Sequence, residues 1–133
     1  MPEDPTQILQ ELMPLAETLG LAVERWEPEE VQVSVAWRPE LCTSGGMLHG
    51  GVIMAVADSA GASCAFLNLP DGAGTTTVES KTNFLRGVRD GRVVAAANPI
   101  HIGRSLIVVE TAVRDDHNRL IAKISQTQMV LHA

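Results

Sequence analysis

Asp58 is the only side chain charged at neutral pH between Gly50 and Leu69, a stretch otherwise made of apolar and small residues. An ionised carboxylate buried in such surroundings costs several kcal/mol unless it is paired or hydrogen-bonded. Two readings stand. A structural one pairs Asp58 with a nearby backbone group or an arginine. A functional one holds the carboxylate in a cleft as a nucleophile or general base. Just upstream lies His49-Gly50-Gly51. Two glycines at a helix start leave backbone N–H groups uncovered, at the positive end of the helix dipole. Such a place suits an oxyanion developing on a carbonyl. The alternative is that the glycines only permit a tight turn from loop to helix.

These residues need elements to hold them. His49-Gly50-Gly51 opens a helix expected over Val52 to about Leu67, apolar or small on every side and so wrapped by other structure. With one carboxylate, several glycines and two serines, it reads as a buried helix rather than a membrane span. Before it, Asp4 is placed as an N-cap, Pro5 stands at the first helical position and Gln7 is spaced for a capping box. Pro14 predicts a kink or restart, and Gly20 a stop. Leu21 to Trp26 and Val31 to Arg38 read as a strand pair around Glu27-Pro28-Glu29-Glu30. Thr75 to Leu85, Arg92 to Ile102, Leu106 to Val113 and Leu120 to Leu131 read as four more strands, with short turns that imply an antiparallel meander. The expected fold is α+β: a curved antiparallel sheet of about six strands around a central helix, preceded by an N-terminal helix. The 133 residues suffice for one domain, 1–133, with a real core.

Composition narrows the function. Net charge is −6, and nine of the 16 acidic residues fall in the first forty positions, so the chain is a poor nucleic-acid binder. The aromatic residues are Trp26, Trp37, Phe66 and Phe84 alone, too few for a base-stacking platform. Cys42 and Cys64 are too isolated to frame a disulfide scaffold or a zinc site, and the histidines lack metal-ligand spacing. The acidic N-terminus is no secretory signal. A soluble, reduced, cytoplasmic protein is expected, with no membrane, nucleic-acid or metal partner.

His49-Gly50-Gly51 followed by Asp58 on a small-residue helix resembles the hotdog-fold acyl-CoA thioesterases, closest to the phenylacetate-pathway and 4-hydroxybenzoyl-CoA thioesterase group. Thr77-Val78-Glu79 through Asn83-Phe84-Leu85-Arg86, Gly91-Arg92-Val93 and Pro99-Ile100-His101-Ile102-Gly103-Arg104-Ser105 are similar to that family's strands. The resemblance covers roughly residues 20 to 131. It implies hydrolysis of an acyl-CoA thioester without a metal or redox cofactor. It implies that Asp58 is the catalytic carboxylate, that the Gly50 N–H polarises the thioester carbonyl, that His49 shapes that end of the site, and that Thr77 helps position the attacking water. Many members carry Asn or Gln where this chain has Thr43. Gly51 and Ser59 are further candidates for binding substrate. Two other readings are a hotdog hydratase or dehydratase and a non-catalytic acyl-CoA-binding module. The compact His-Gly-Gly entry fits hydrolases better.

Arg86, Arg89, Arg92 and Arg104, with Lys81, form a basic set around Asp90, suited to the phosphates of coenzyme A. The small residues Ala55, Gly61 and Ala62 could leave room for a bulky acyl group. Asp58 lies about 12 Å along the helix from Gly50, at roughly 1.5 Å per residue. An Asp side chain cannot span that gap to one carbonyl. Gly50 and Asp58 of one site are therefore expected from different subunits of a homodimer, or of a homotetramer built as a dimer of dimers.

Overall fold

The computed structural model describes residues 3–132. Helix α1 (Pro5–Leu12) is capped by Asp4, whose carboxylate accepts from the Thr6 N–H at 3.0 Å. The capping box does not form; Gln7 instead reaches along the helix to Glu11 at 3.3 Å. Pro14 has no N–H to continue the helix, and Met13 before it turns extended, so a second short helix, α2 (Pro14–Leu19), restarts the run. Gly20 ends it at φ +72, with its N–H on the Ala16 and Glu17 carbonyls. A side chain there would be strained by the left-handed backbone and tight against Arg38.

Among the described residues six strands form one antiparallel sheet: β1 (Ala22–Glu27), β2 (Glu30–Ala36), β3 (Gly74–Phe84), β4 (Arg92–Ile102), β5 (Leu106–Asp115) and β6 (Leu120–Leu131). Their spatial order is β1-β2-β4-β5-β6-β3. The expected four-strand meander is thus corrected. β4, β5 and β6 are consecutive neighbours, but β3 leaves the series and pairs with β6 at the far edge. Residues 85–91 make this possible. Crossing three strand spacings takes about 14 Å, and seven extended residues span about 23 Å or more. Along the way Leu85 donates to Ile121, Val88 accepts from Leu48, and Gly91 accepts from Trp37.

Helix α3 (Gly50–Phe66) lies in the curve of the sheet, starting at Gly50 because His49 acts as its N-cap. It packs on β2, β3, β4, β5 and β6. Val33, Val35, Val93, Ala95, Ile107 and Ile124 are buried under it with Val56, Ala60 and Cys64 of the helix. Each large aliphatic side chain so buried contributes about 1.5–3 kcal/mol. The wrapping is not complete. Ala55, Asp58 and Ala62 are half-buried and Phe66 is exposed, one open stripe at helical spacing. No helix among the described residues is long and apolar enough to cross a membrane.

The two sheet edges differ. Helix α1 covers β1: the Thr6 hydroxyl accepts from the Val23 N–H at 2.9 Å, and Gln10 donates to the Leu21 carbonyl. The outer edge of β3 has no strand beside it among the described residues. The architecture is the α+β hotdog fold: a curved antiparallel sheet around a central helix.

Candidate active site

Asp58 turns from the open stripe of α3 towards the β3–β6 edge of the sheet. Its Oδ1 accepts from the Thr77 hydroxyl at 2.7 Å and from Gln126 Nε2 at 2.7 Å. The Thr77 oxygen in turn accepts from Gln128 Nε2 at 2.6 Å and, more weakly, from Gln126 Nε2 at 3.3 Å. Gln128 Oε1 accepts from the Thr75 hydroxyl at 3.0 Å. Asp58 Oδ2 takes no hydrogen bond among the described residues. The carboxylate is therefore gripped by one oxygen, and neither arginine nor a backbone N–H is its partner.

Gln126 and Gln128 were not singled out from the sequence. Both are fully buried. The signal was present in β6, where period two puts them in phase with Ile124 and Val130 on the core face. Two amides at core positions mark a polar network.

At the other end of the site, the His49 Nδ1 accepts from the Gly51 N–H at 2.8 Å. That bond requires a lone pair on Nδ1, which puts the ring proton of a neutral His49 on Nε2. The Gly51 N–H is thereby occupied. The Gly50 N–H finds no acceptor among the described residues, so it is the open donor at the helix start. The Phe84 ring lies on the side where Gly50 lacks a side chain: a Cβ on Gly50 would come within 3.1 Å of that ring. A groove of about 360 Å³ opens here, lined by Thr43, Met47, Gly50, Ile53, Phe84 and Leu85 among others. It runs through Arg86 and Gly87 towards a second cavity, of about 320 Å³, lined by Arg86, Arg89, Asp90 and Arg119. Arg119 is a member that sequence reading missed; it is held by Asp115 at 2.8 Å.

Other expected members fall elsewhere. Ser59 is buried and spends its hydroxyl on the Ala55 carbonyl at 2.7 Å, so it does not face the site. Arg104 lies beyond the end of β4 opposite to Arg89, about 36 Å away along the strand at ~3.3 Å per residue. Within one chain it cannot join Arg86 and Arg89. Arg92 is paired with Glu24 at 3.0 Å. Gly61 leaves no room for an acyl group, because the Gln126 carboxamide fills the space where its Cβ would be.

The sequence profile of the thioesterase superfamily matches residues 45–122, from the groove through the central helix to the start of β6. A relative from Saccharolobus solfataricus, provisionally named an esterase, is 31% identical over 125 residues, covering 91% of this chain and 89% of its own. The crystal structure of a thioesterase from Haemophilus influenzae superposes with a TM-score of 0.89 at 27% identity, covering 96% of this chain and 90% of that one. A thioesterase family protein from Silicibacter pomeroyi gives a TM-score of 0.88 at 30% identity, with 96% of each chain covered.

Proposed function

The chain belongs to the thioesterase superfamily, and from that premise we propose that it hydrolyses an acyl- or aryl-CoA thioester to the free acid and coenzyme A. Its relatives support thioester hydrolysis as the general activity. The acyl-CoA substrate, the residues and the assembly are this proposal, and so is the finer kinship with the phenylacetate-pathway and 4-hydroxybenzoyl-CoA enzymes. The carrying observation is Asp58: a lone carboxylate on the open stripe of the central helix, bonded through Oδ1 and, among the described residues, free at Oδ2.

In the reaction, Oδ2 attacks the thioester carbonyl carbon or takes a proton from a water that does so. The carbonyl electron pair moves onto oxygen, where the Gly50 N–H and the α3 dipole stabilise it. Collapse breaks the C–S bond and releases the thiolate of coenzyme A, which takes its proton from solvent on the direct route and, on the water route, takes back the proton that Asp58 removed from the water. On the direct route, water then opens the mixed anhydride and restores Asp58. Thr43 and Phe84 border the groove for the thioester arm, and Arg86, Arg89 and Arg119 supply charge for the nucleotide phosphates.

The site is completed by a second copy. Two observations support this reading. Thr77, which holds Asp58, lies on β3, the strand with an open edge, and the free Gly50 N–H is eight residues further up the same helix. A copy paired along that edge brings its own α3 antiparallel to the first, with Gly50 of one facing Asp58 of the other. The same pairing covers the exposed backbone of β3 and the small-residue stripe of α3. The test is thiol release from a panel of aromatic and aliphatic acyl-CoAs. Turnover of at least one ester should fall by about 100-fold or more in a folded Asp58→Asn variant. No turnover across the panel, or near-normal turnover in Asp58→Asn, contradicts the proposal.

A further inference from the structure

We propose that Gln126 is the positioning residue that aims Asp58, and that position 61 is glycine in order to admit it. This rests on Asp58 being the reacting carboxylate. Every hydrogen bond of the cluster runs towards Oδ1. The Thr77 hydroxyl has one proton, and its oxygen already receives the Gln128 and Gln126 amides, so that proton goes to Asp58. Gln126 Nε2 adds the second bond to the same oxygen. Two donors on one carboxylate oxygen fix the rotation of the group and leave Oδ2 as the free, directed atom.

Gln126 is costly to keep. It is wholly buried, and its Oε1 has no hydrogen-bond partner among the described residues. An unpaired buried amide oxygen carries a desolvation cost that an apolar side chain would avoid. Ile124 and Val130, on either side of the Gln126–Gln128 pair, show that the same face of β6 accepts aliphatic residues. Turning the amide over would not help, because Oε1 would then face the Asp58 carboxylate, acceptor against acceptor. The oxygen points instead at α3, where a Cβ at Gly61 would overlap it. The strand thus carries a glutamine that the fold does not need, and the helix carries a gap shaped for it. Sites where a local rule of stability is broken without structural gain are where function is expected.

The test is a set of variants assayed on the best ester of the panel. Gln126→Met keeps the length and burial and removes the donor. Its kcat should fall about 10-fold or more with KM within about 2-fold, while the melting temperature holds or rises. A glutamine that only supports the fold would behave in the opposite way. Gln126→Glu replaces the donor with an acceptor facing Asp58 and should lose more activity than Gln126→Met. Gly61→Ala pushes the carboxamide from the helix side and should also lower kcat. In a Gln126→Ala background the space is vacant, and Gly61→Ala should then cost nothing further. Unchanged kcat in Gln126→Met, or losses from Gly61→Ala and Gln126→Ala that multiply in full, overturns the proposal. Asp58→Asn run alongside tells the two levels apart. If it is inactive while Gln126→Met is normal, only the positioning role is refuted. If it is active, the reading of Asp58 falls and the positioning role falls with it.

Discussion

Thr77→Val removes one hydroxyl and almost no volume. In the structure that hydroxyl donates to Asp58 at 2.7 Å and accepts from Gln128 at 2.6 Å. A hydrogen bond to a charged group is worth about 1.5–3 kcal/mol. If that orientation is used fully in the transition state, kcat should drop about 10- to 150-fold, since about 1.4 kcal/mol is tenfold in rate. The variant also strands the Gln128 amide, which is fully buried. An unsatisfied buried donor costs about 1–3 kcal/mol. For a domain of this size that is a fall in melting temperature of about 4–12 °C. Thr77→Ser restores the hydroxyl and should recover most of the rate. Steady-state thiol release measures kcat, and a thermal melt measures the second effect. If Thr77→Val loses stability but keeps the wild-type kcat, the bond to Asp58 is part of the fold and not of the reaction.

Two further outcomes follow from other parts of the molecule. Arg89→Glu should raise KM for CoA esters several-fold, with little effect on short thioesters that lack the nucleotide; equal loss on both refutes a phosphate role for the cavity of Arg86, Arg89 and Arg119. Burial, and secondarily the Glu30 carboxylate, push the Cys64 thiol up from 9.0 to about 11. The native state therefore keeps a proton that the unfolded chain gives up. The stability this contributes is present below pH 9 and is lost as pH rises towards 11. Urea midpoints across that range should fall less steeply in Cys64→Ala than in the wild type, and equal slopes would contradict the assignment.

Much of the fold was readable from local patterns. Pro14 and Gly20 mark where the N-terminal helices break and stop because one lacks an N–H and the other tolerates positive φ. The strands follow from β-branched runs, and α3 from apolar residues on all sides. The place of β3 was not readable. Strand order is decided by which edges meet in three dimensions, and a seven-residue connection serves a wide hairpin or a crossing equally well. Asp58 stood out because a lone charge in an apolar helix is expensive. Gln126 and Gln128 did not, because glutamine in a strand reads as surface until the strand's inward face is known. In the sequence Gly61 suggests open space for the same reason: the side chain that fills it comes from a residue 65 positions later in the chain.

The proposed reaction needs Gly50 and Asp58 at one carbonyl, which only a shared site provides, and subunit mixing tests that most directly. Asp58→Asn lacks the reacting carboxylate. Gly50→Val covers the open N–H and presses on the Phe84 ring, where even a Cβ would stand at 3.1 Å. Each homodimer should be inactive. In a heterodimer one site carries both lesions and the other carries neither. Random exchange of equal amounts should then restore about a quarter of the wild-type activity, since half the dimers are mixed and each has one intact site. Heterodimers confirmed by native mass spectrometry that remain inactive, though both parent variants are folded, would contradict the account.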